Sequence, residues 1–362
     1  MRGAAARYHG SIADDRREGS IVPARGPLKV PGPAQPLPAA NPVRHDLPAD
    51  RTLTVGAVAG LTARLRIAIS GLAVAEATQR CFRMLWPLTP ECAAAFHSLF
   101  RNPWNMVEMG QEGVAEVRCL PRFHEAELPT LLASCEPHIA RRFMSWHEFP
   151  ADSSLLARCR TLMNELQPVR PVIEKVERFR LAHHRPEMIG VHLRRGDYVG
   201  LRPDKTHNTD KAIEATDTFL DQYPDAGILL CTDEVVTGDS RDGDVRRRFT
   251  ARYGDRLVQN APATYDRSDP AAIEDALVDL WLLRSTTAFV GSDYSGFSEL
   301  AFFGRAVPYR MVGDGSPAWK RLAWLSRLRF FNPLIRRLGR REFGVDHPLP
   351  FLIEHYSRKW LG

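Results

Sequence analysis

From residue 188 onward the chain repeats one pattern: a short apolar run of strand character, a polar stretch, a helical periodicity, then another apolar run. Strands are expected at 188–193, 227–232, 256–259 and 288–292, with helices at 210–222, 243–253 and 269–283. Strands joined through helix-length connections do not pair as hairpins. They line up as a parallel sheet with right-handed crossovers, so the fold class is α/β. In such sheets ligands sit outside the carboxyl ends of the strands. Three polar clusters fall at those ends: His192 to Asp197, Thr232-Asp233-Glu234, and Ser292 to Ser298. A site is expected where the three converge.

The first half opens in the same style. A strand at 51–56 leads into the turn Ala57-Val58-Ala59-Gly60, a helix at 61–79 and a return strand at 81–86. That order is the first half of a βαβ unit. Pro87 ends the return strand, and Thr89-Pro90-Glu91 is a helix start for the run to Phe100. The turn lacks GxGxxG. Gly56 and Gly60 either bring a helix N-terminus and backbone amides to a ligand or let helix and strand pack closely. Between 119 and 187 helical patterns at 123–135 and 151–180 are broken by Pro150, Pro168 and Pro171. His124, His147 and Glu148 are isolated polar residues there, read as structural, with Glu148 able to face a cleft.

Four segments follow. Residues 1–48 carry eight prolines (Pro23, Pro27, Pro31, Pro33, Pro36, Pro38, Pro42, Pro48) and few large apolar residues, so they are read as a disordered Pro-rich segment. Residues 49–185 and 186–325 are expected to form two α/β units. Residues 326–362 are a basic closing segment, in which arginines from Arg327 to Arg341 interleave with Phe330, Phe331, Leu334, Ile335 and Leu338. That helix suits either peripheral contact with a membrane surface or packing back across the domains, and the second is favoured.

Composition removes several classes. With 44% hydrophobic and 25% charged residues the chain is of soluble globular type. Its charge of +6 fits arginine-rich anion binding and equally fits plain solubility. Acidic residues spread through both domains, and aromatics interleaved with basic residues are read only in the C-terminal segment, so no nucleic-acid partner is expected. The six cysteines form no CxxC pair, which argues against a zinc site and a disulfide scaffold and fits a reducing cytoplasm. No run reaches the ~20 apolar residues of a membrane span, and the N-terminus lacks the apolar core of a secretory signal. A bacterial cytoplasmic setting, with at most peripheral membrane contact, is expected.

At the first cluster, period-two alternation sends His192 and Arg194 to one face and Arg195 to the other unless the chain turns. Guanidinium forks at a strand end suit a diphosphate, and they offset the charge of a leaving diphosphate without a metal. His192 is either a donor to base or phosphate or a core histidine satisfied by backbone. On the 269–283 helix, Asp275 and Asp279 lie one turn apart, and one of them is expected to project toward the ligand. Serine hydroxyls and backbone amides at the helix start after 292 form an anion seat. No paired-aspartate metal motif sits at a strand end of the first unit, and Asp242-Gly243-Asp244 reads as a solvated loop, so no metal is expected.

These residues resemble a family. His192-Leu193-Arg194-Arg195-Gly196-Asp197 is similar to the HxRRxD-type motif of the fucosyltransferase superfamily, which includes bacterial α-1,2-fucosyltransferases and the nodulation and core α-1,6-fucosyltransferases. Leu230-Cys231-Thr232-Asp233-Glu234 resembles its strand ending in Thr-Asp-Asp. Asp279 to Ser285, followed by Ser295-Gly296-Phe297-Ser298, resembles its Asp-containing helix and serine-rich loop. The resemblance spans about residues 51 to 312 and is specific in the second half. It implies a GT-B-like fold, two Rossmann-like domains facing across a cleft, with 49–185 on the acceptor side and 186–325 binding the nucleotide sugar. It implies GDP-fucose as donor, a glycan or glycoconjugate acceptor, no cofactor, and inverting, metal-independent transfer. Arg194 and Arg195 would hold the β-phosphate, and His192 and Asp279 would reach guanine or ribose. Ser295, Gly296 and Phe297 would complete the diphosphate seat beside Thr232 and Asp233, with Asp197 in the catalytic set. Where the α-1,6 relatives carry a glutamate beyond the arginine pair, this chain reads Val199-Gly200-Leu201-Arg202. That leaves Asp197, Asp204 and the distant Glu148 as substitute bases. The alternatives are a GT-B transferase using another nucleotide sugar and a non-catalytic nucleotide-sugar or glycan-binding module.

Overall fold

The computed structural model describes residues 50–150, 153–183, 185–195, 209–234, 244–260, 262, 264–293 and 295–313. The readings for 1–48, Asp197, Asp204 and 326–362 lie outside them.

The first unit runs β1 (Thr52–Gly56), α1 (Leu61–Ala77), β2 (Cys81–Pro87), α2 (Phe96–Leu99), β3 (Met106–Met109), α3 (Gly113–Cys119), α4 (Leu128–Ala133), β4 (His138–Arg142) and α5 (Ser154–Asn164). Its four strands pair in parallel in the order β3-β2-β1-β4. Helix α1 is apolar around most of its circumference because it is covered twice, by the sheet and by α5. Gly71 lets it lie directly on β1, since a Cβ there would stand 2.8 Å from the Val55 methyls. It stops short of the expected residue 79 because Gln79 takes a left-handed conformation at φ 53°.

The helix expected from Thr89 to Phe100 shrinks to four residues. Thr89 and Cys92 instead pair across a tight turn, and the Trp86 indole donates to the Ala94 carbonyl at 3.0 Å. Trp86 packs edge-on to Phe96 with ring centroids 5.6 Å apart, and this tertiary packing sets the segment's path. Only Leu128–Ala133, after a short 3-10 turn, is α-helical within the expected 123–135 helix.

After α6 (Arg170–His183) the second unit runs β5 (Met188–Leu193), α7 (Thr209–Gln222), β6 (Gly227–Thr232), α8 (Asp244–Tyr253), β7 (Leu257–Val258), α9 (Pro270–Arg284), β8 (Ala288–Ser292), α10 (Gly296–Phe302) and β9 (Tyr309–Val312). Its five strands are parallel in the order β7-β6-β5-β8-β9. In chain order both sheets start at an inner strand, wind outward, and then reverse to the other side. That is the doubly wound arrangement, so the chain carries two Rossmann-like units.

The alternation along β5 and β6 sorts the second core into two layers. Ile189, Val191, Leu193, Ile228 and Leu230 pack with Ala212, Ala215 and Phe219 of α7 and with Val245 and Phe249 of α8. Leu229, Cys231 and Phe289 belong to the opposite layer with Ile273, Leu277 and Leu280 of α9. That layer is continuous with the first unit's core, so the two units share one apolar seam. Helix α6 packs on α9, and Lys175 reaches Glu274 at 2.9 Å and Asp275 at 2.8 Å. It precedes residue 185 yet leans on the second unit. Among the described residues no helix is long and apolar enough to cross a membrane.

Candidate functional site

A cleft of about 460 Å³ opens where both winding reversals meet. One wall is the start of α1 (Gly60, Leu61, Thr62) together with Glu91. The other is built by the ends of β5 and β6, the cleft-facing side of α9, and the loop entering α10. The reversal in the second sheet lies between β5 and β8, and the polar clusters after both strands line the cleft.

His192 and Arg194 share the parity of strand residues facing α9 and α10, and both line the cleft. His192 is 5% exposed. Its ring stacks on Phe297 with centroids 4.7 Å apart, and Nδ1 lies 2.7 Å from Ser298 Oγ. Ser298 Oγ also accepts from the Ser292 amide at 3.0 Å, so the hydroxyl ties the imidazole to the end of β8. Burial, helped by the neighbouring Arg194 charge, pushes the pKa of His192 down to about 3. The ring is neutral at physiological pH.

Arg194 is oriented by Asp233. Nη1 meets Oδ2 at 2.8 Å, both side chains are about four-fifths buried, and the Arg194 amide donates to Ser292 Oγ at 3.0 Å. Asp233 also accepts the Arg195 amide at 2.6 Å and so fixes the backbone just past β5. Arg195 falls outside the cleft lining. Its guanidinium donates to Thr209 at the start of α7, on the opposite side of the sheet. Burial lowers its pKa, against the raising influence of Glu234, Asp244 and Asp233. The pair therefore divides by strand parity, one guanidinium to each face.

Thr232 is buried at the cleft floor; its hydroxyl accepts from the Glu234 amide at 3.3 Å. Glu234 in turn accepts the Val245 and Arg246 amides and caps α8. Asp279 lines the cleft and accepts from Asn260 Nδ2 at 2.8 Å. Burial is the main cause of its pKa rising to about 7, offset in part by the Asn260 bond. Asp275, its partner one turn earlier, is spent on Lys175. Ser295 is the N-cap of α10, its Oγ accepting from the Ser298 amide at 3.4 Å, while Gly296 and Phe297 face the cleft. A Cβ at Gly296 would stand 3.2 Å from Thr62 Oγ1, so glycine lets the two walls approach. Gly60 lines the cleft as the residue before α1. Gly56 does not. It packs under Val117 and Leu120, where a Cβ would stand 3.1 to 3.3 Å away, so of its two readings close packing holds.

Glu148 sits beyond β4 in the first unit and outside the cleft lining. Burial raises its pKa to about 7, and its Oε2 is buried without a hydrogen-bond partner. Several lining residues escaped the sequence reading: Thr62, Tyr265, Arg267, Ala272 and Ala276. A signal for the last two existed, because Ala272, Ile273, Ala276 and Asp279 recur at three- and four-residue spacing on one helix face. Tyr265 lies on an irregular segment with no such pattern and is held by Arg246. Among the described residues no group of three or more His, Cys, Asp or Glu side chains is arranged to hold a metal ion.

No protein-family model matches the chain, and no curated protein matches it in sequence. Similar solved structures exist at low identity. The fucosyltransferase NodZ from Bradyrhizobium is 15% identical, with a TM-score of 0.48 over 69% of this chain and 92% of that one. POFUT1 in complex with GDP-fucose is 13% identical, with a TM-score of 0.46 over 74% of this chain and 98% of that one. A mutant FUT1 of Arabidopsis thaliana in complex with GDP is 13% identical, with a TM-score of 0.48 over 72% and 70%.

Proposed function

We propose that this chain is a glycosyltransferase that moves fucose from GDP-fucose to a hydroxyl of a glycan or glycoconjugate, with inversion and without a metal. The observation that carries the reading is one cleft at the sheet reversal that gathers Arg194, neutral His192, the Ser295-Gly296-Phe297 turn and Asp279. Those groups come from three separate chain segments and match a nucleoside diphosphate in order of chemistry. A guanidinium fork and backbone suit the phosphates, and a buried carboxylate, when ionised, suits the N–H edge of a base. The choice of guanine and fucose rests on the motif resemblance of 192–197, 230–234, 279–285 and 295–298.

In this reading the acceptor oxygen attacks C1 of the sugar as the bond from C1 to the β-phosphate oxygen breaks. The electron pair leaves with GDP. Arg194 stabilises the charge that grows there, and Asp233 holds its fork in place. The acceptor proton needs a base. Asp197, Asp204 and Glu148 are the candidates from this chain; Glu148 has its pKa raised to about 7 by burial but lies outside the cleft lining.

A donor screen tests the reading. With EDTA present, the full chain is expected to hydrolyse GDP-fucose slowly and to leave GDP-mannose and UDP-sugars intact. Turnover of a UDP-sugar instead would replace the donor. Tight GDP binding with no turnover of any donor or transfer to any glycan would make the chain a binding module.

A further inference from the structure

The cleft's two walls belong to different units, and one carboxylate joins them. Glu299 lies on α10, one turn past the Ser295-Gly296-Phe297 lining, and its side chain is 20% exposed. Three donors from the first unit converge on it. Arg66 Nη1 reaches Oε2 at 3.0 Å, the Trp146 indole donates to Oε1 at 2.7 Å, and His147 Nε2 meets Oε1 at 2.6 Å. Arg66 sits on α1 one turn after Thr62, which faces Gly296 across the cleft. Trp146 also stacks flat on Phe303 with centroids 4.0 Å apart, so the contact is seated on apolar packing.

A carboxylate this enclosed is costly to desolvate, and such an ion pair adds little net stability over an apolar contact of the same shape. What three directed donors add is geometry, because each bond fixes the distance and angle of one wall relative to the other.

We propose that Glu299 is a positioning residue that holds the first turn of α1 against the loop entering α10, so that the acceptor-side wall is registered on the donor seat. The role in turnover rests on the GDP-fucose reading; the tether itself does not. Glu299 acts through Arg66, Trp146 and His147 and is not placed in contact with the donor. Burial works to raise its pKa, but the bonds from His147, Arg66 and Trp146 outweigh burial and keep it ionised.

The test compares the full chain with Glu299→Ala and Glu299→Gln. Three quantities are followed: amide hydrogen exchange, GDP affinity by calorimetry, and GDP-fucose hydrolysis. Glu299→Ala should speed exchange in 145–149 and 295–302 and leave 188–193 unchanged. It should keep GDP affinity within about threefold and lower kcat at least tenfold. Glu299→Gln retains an oxygen for Trp146 but loses the charge facing Arg66, so it should fall between, which a general loss of folding would not produce. Unchanged exchange in a folded Glu299→Ala protein overturns the tether. Faster exchange with unchanged kcat overturns the positioning role. A wild-type chain that neither binds GDP nor hydrolyses GDP-fucose sinks the donor reading and the positioning role with it, and exchange still decides the tether.

Discussion

Burial sets the charge of His192 and Asp279 on the cleft's second wall, and it acts on them in opposite senses. His192, packed on Phe297 and bonded to Ser298, has its pKa driven down to about 3 and stays neutral through any working pH. Asp279 is driven up to about 7 and changes charge where activity would be measured. An aspartate in an unfolded chain titrates near ~3.9, so the fold favours the protonated form. The stability Asp279 contributes is therefore complete below about pH 4 and is lost as pH rises through about 7. If the ionised carboxylate receives the base N–H groups, GDP affinity should rise between about pH 6 and pH 8 and then level off. Asp279→Asn should bind weakly with a flat pH profile and should no longer lose stability over the same range. Calorimetry and urea unfolding across that range check both. A wild-type GDP affinity that is level from pH 6 to 8 would remove Asp279 from the base site.

At the scale of the element, β5 decides how the arginine pair is used. Its alternation places Arg194 with His192 on the cleft side and Arg195 with Leu193 toward α7. Arg194→Ala should cost GDP-fucose turnover about 10²- to 10³-fold, the usual cost of removing one donor to developing charge. Arg195→Ala should cost far less turnover and show its effect in stability, through the lost guanidinium contact with Thr209. Equal losses of turnover from the two substitutions would contradict the division. The same alternation explains what was legible in the sequence. Strands β5, β6 and β8 are central and buried on both faces, so their apolar runs stand out, and their bounds match the expected ones residue for residue. Strands β3, β4 and β9 are edge strands carrying Glu108, Arg141, Arg142 and Arg310. They have no continuous apolar run, and no strand is expected there from the sequence. The site followed suit. Residues on strand ends and helix starts were readable except Thr62, while Tyr265 and Arg267, on an irregular segment, are positioned by tertiary contacts such as Arg246 on Tyr265.

At the scale of the molecule, two doubly wound units put the carboxyl ends of their inner strands toward one another, and the cleft is what lies between. Neither unit could make it alone. The first supplies Gly60 and Thr62 at the start of α1, and the second supplies the charged and aromatic floor. The shared apolar core and the Glu299 contacts hold the two in register. The proposed function requires that this cleft bind guanosine diphosphate without a metal. Calorimetric titration of the full chain with GDP, in EDTA and with UDP as control, tests it most directly. Micromolar GDP binding that EDTA does not change, with UDP at least tenfold weaker, is the predicted result. A folded chain that binds no GDP, or binds UDP as tightly, would contradict the claim.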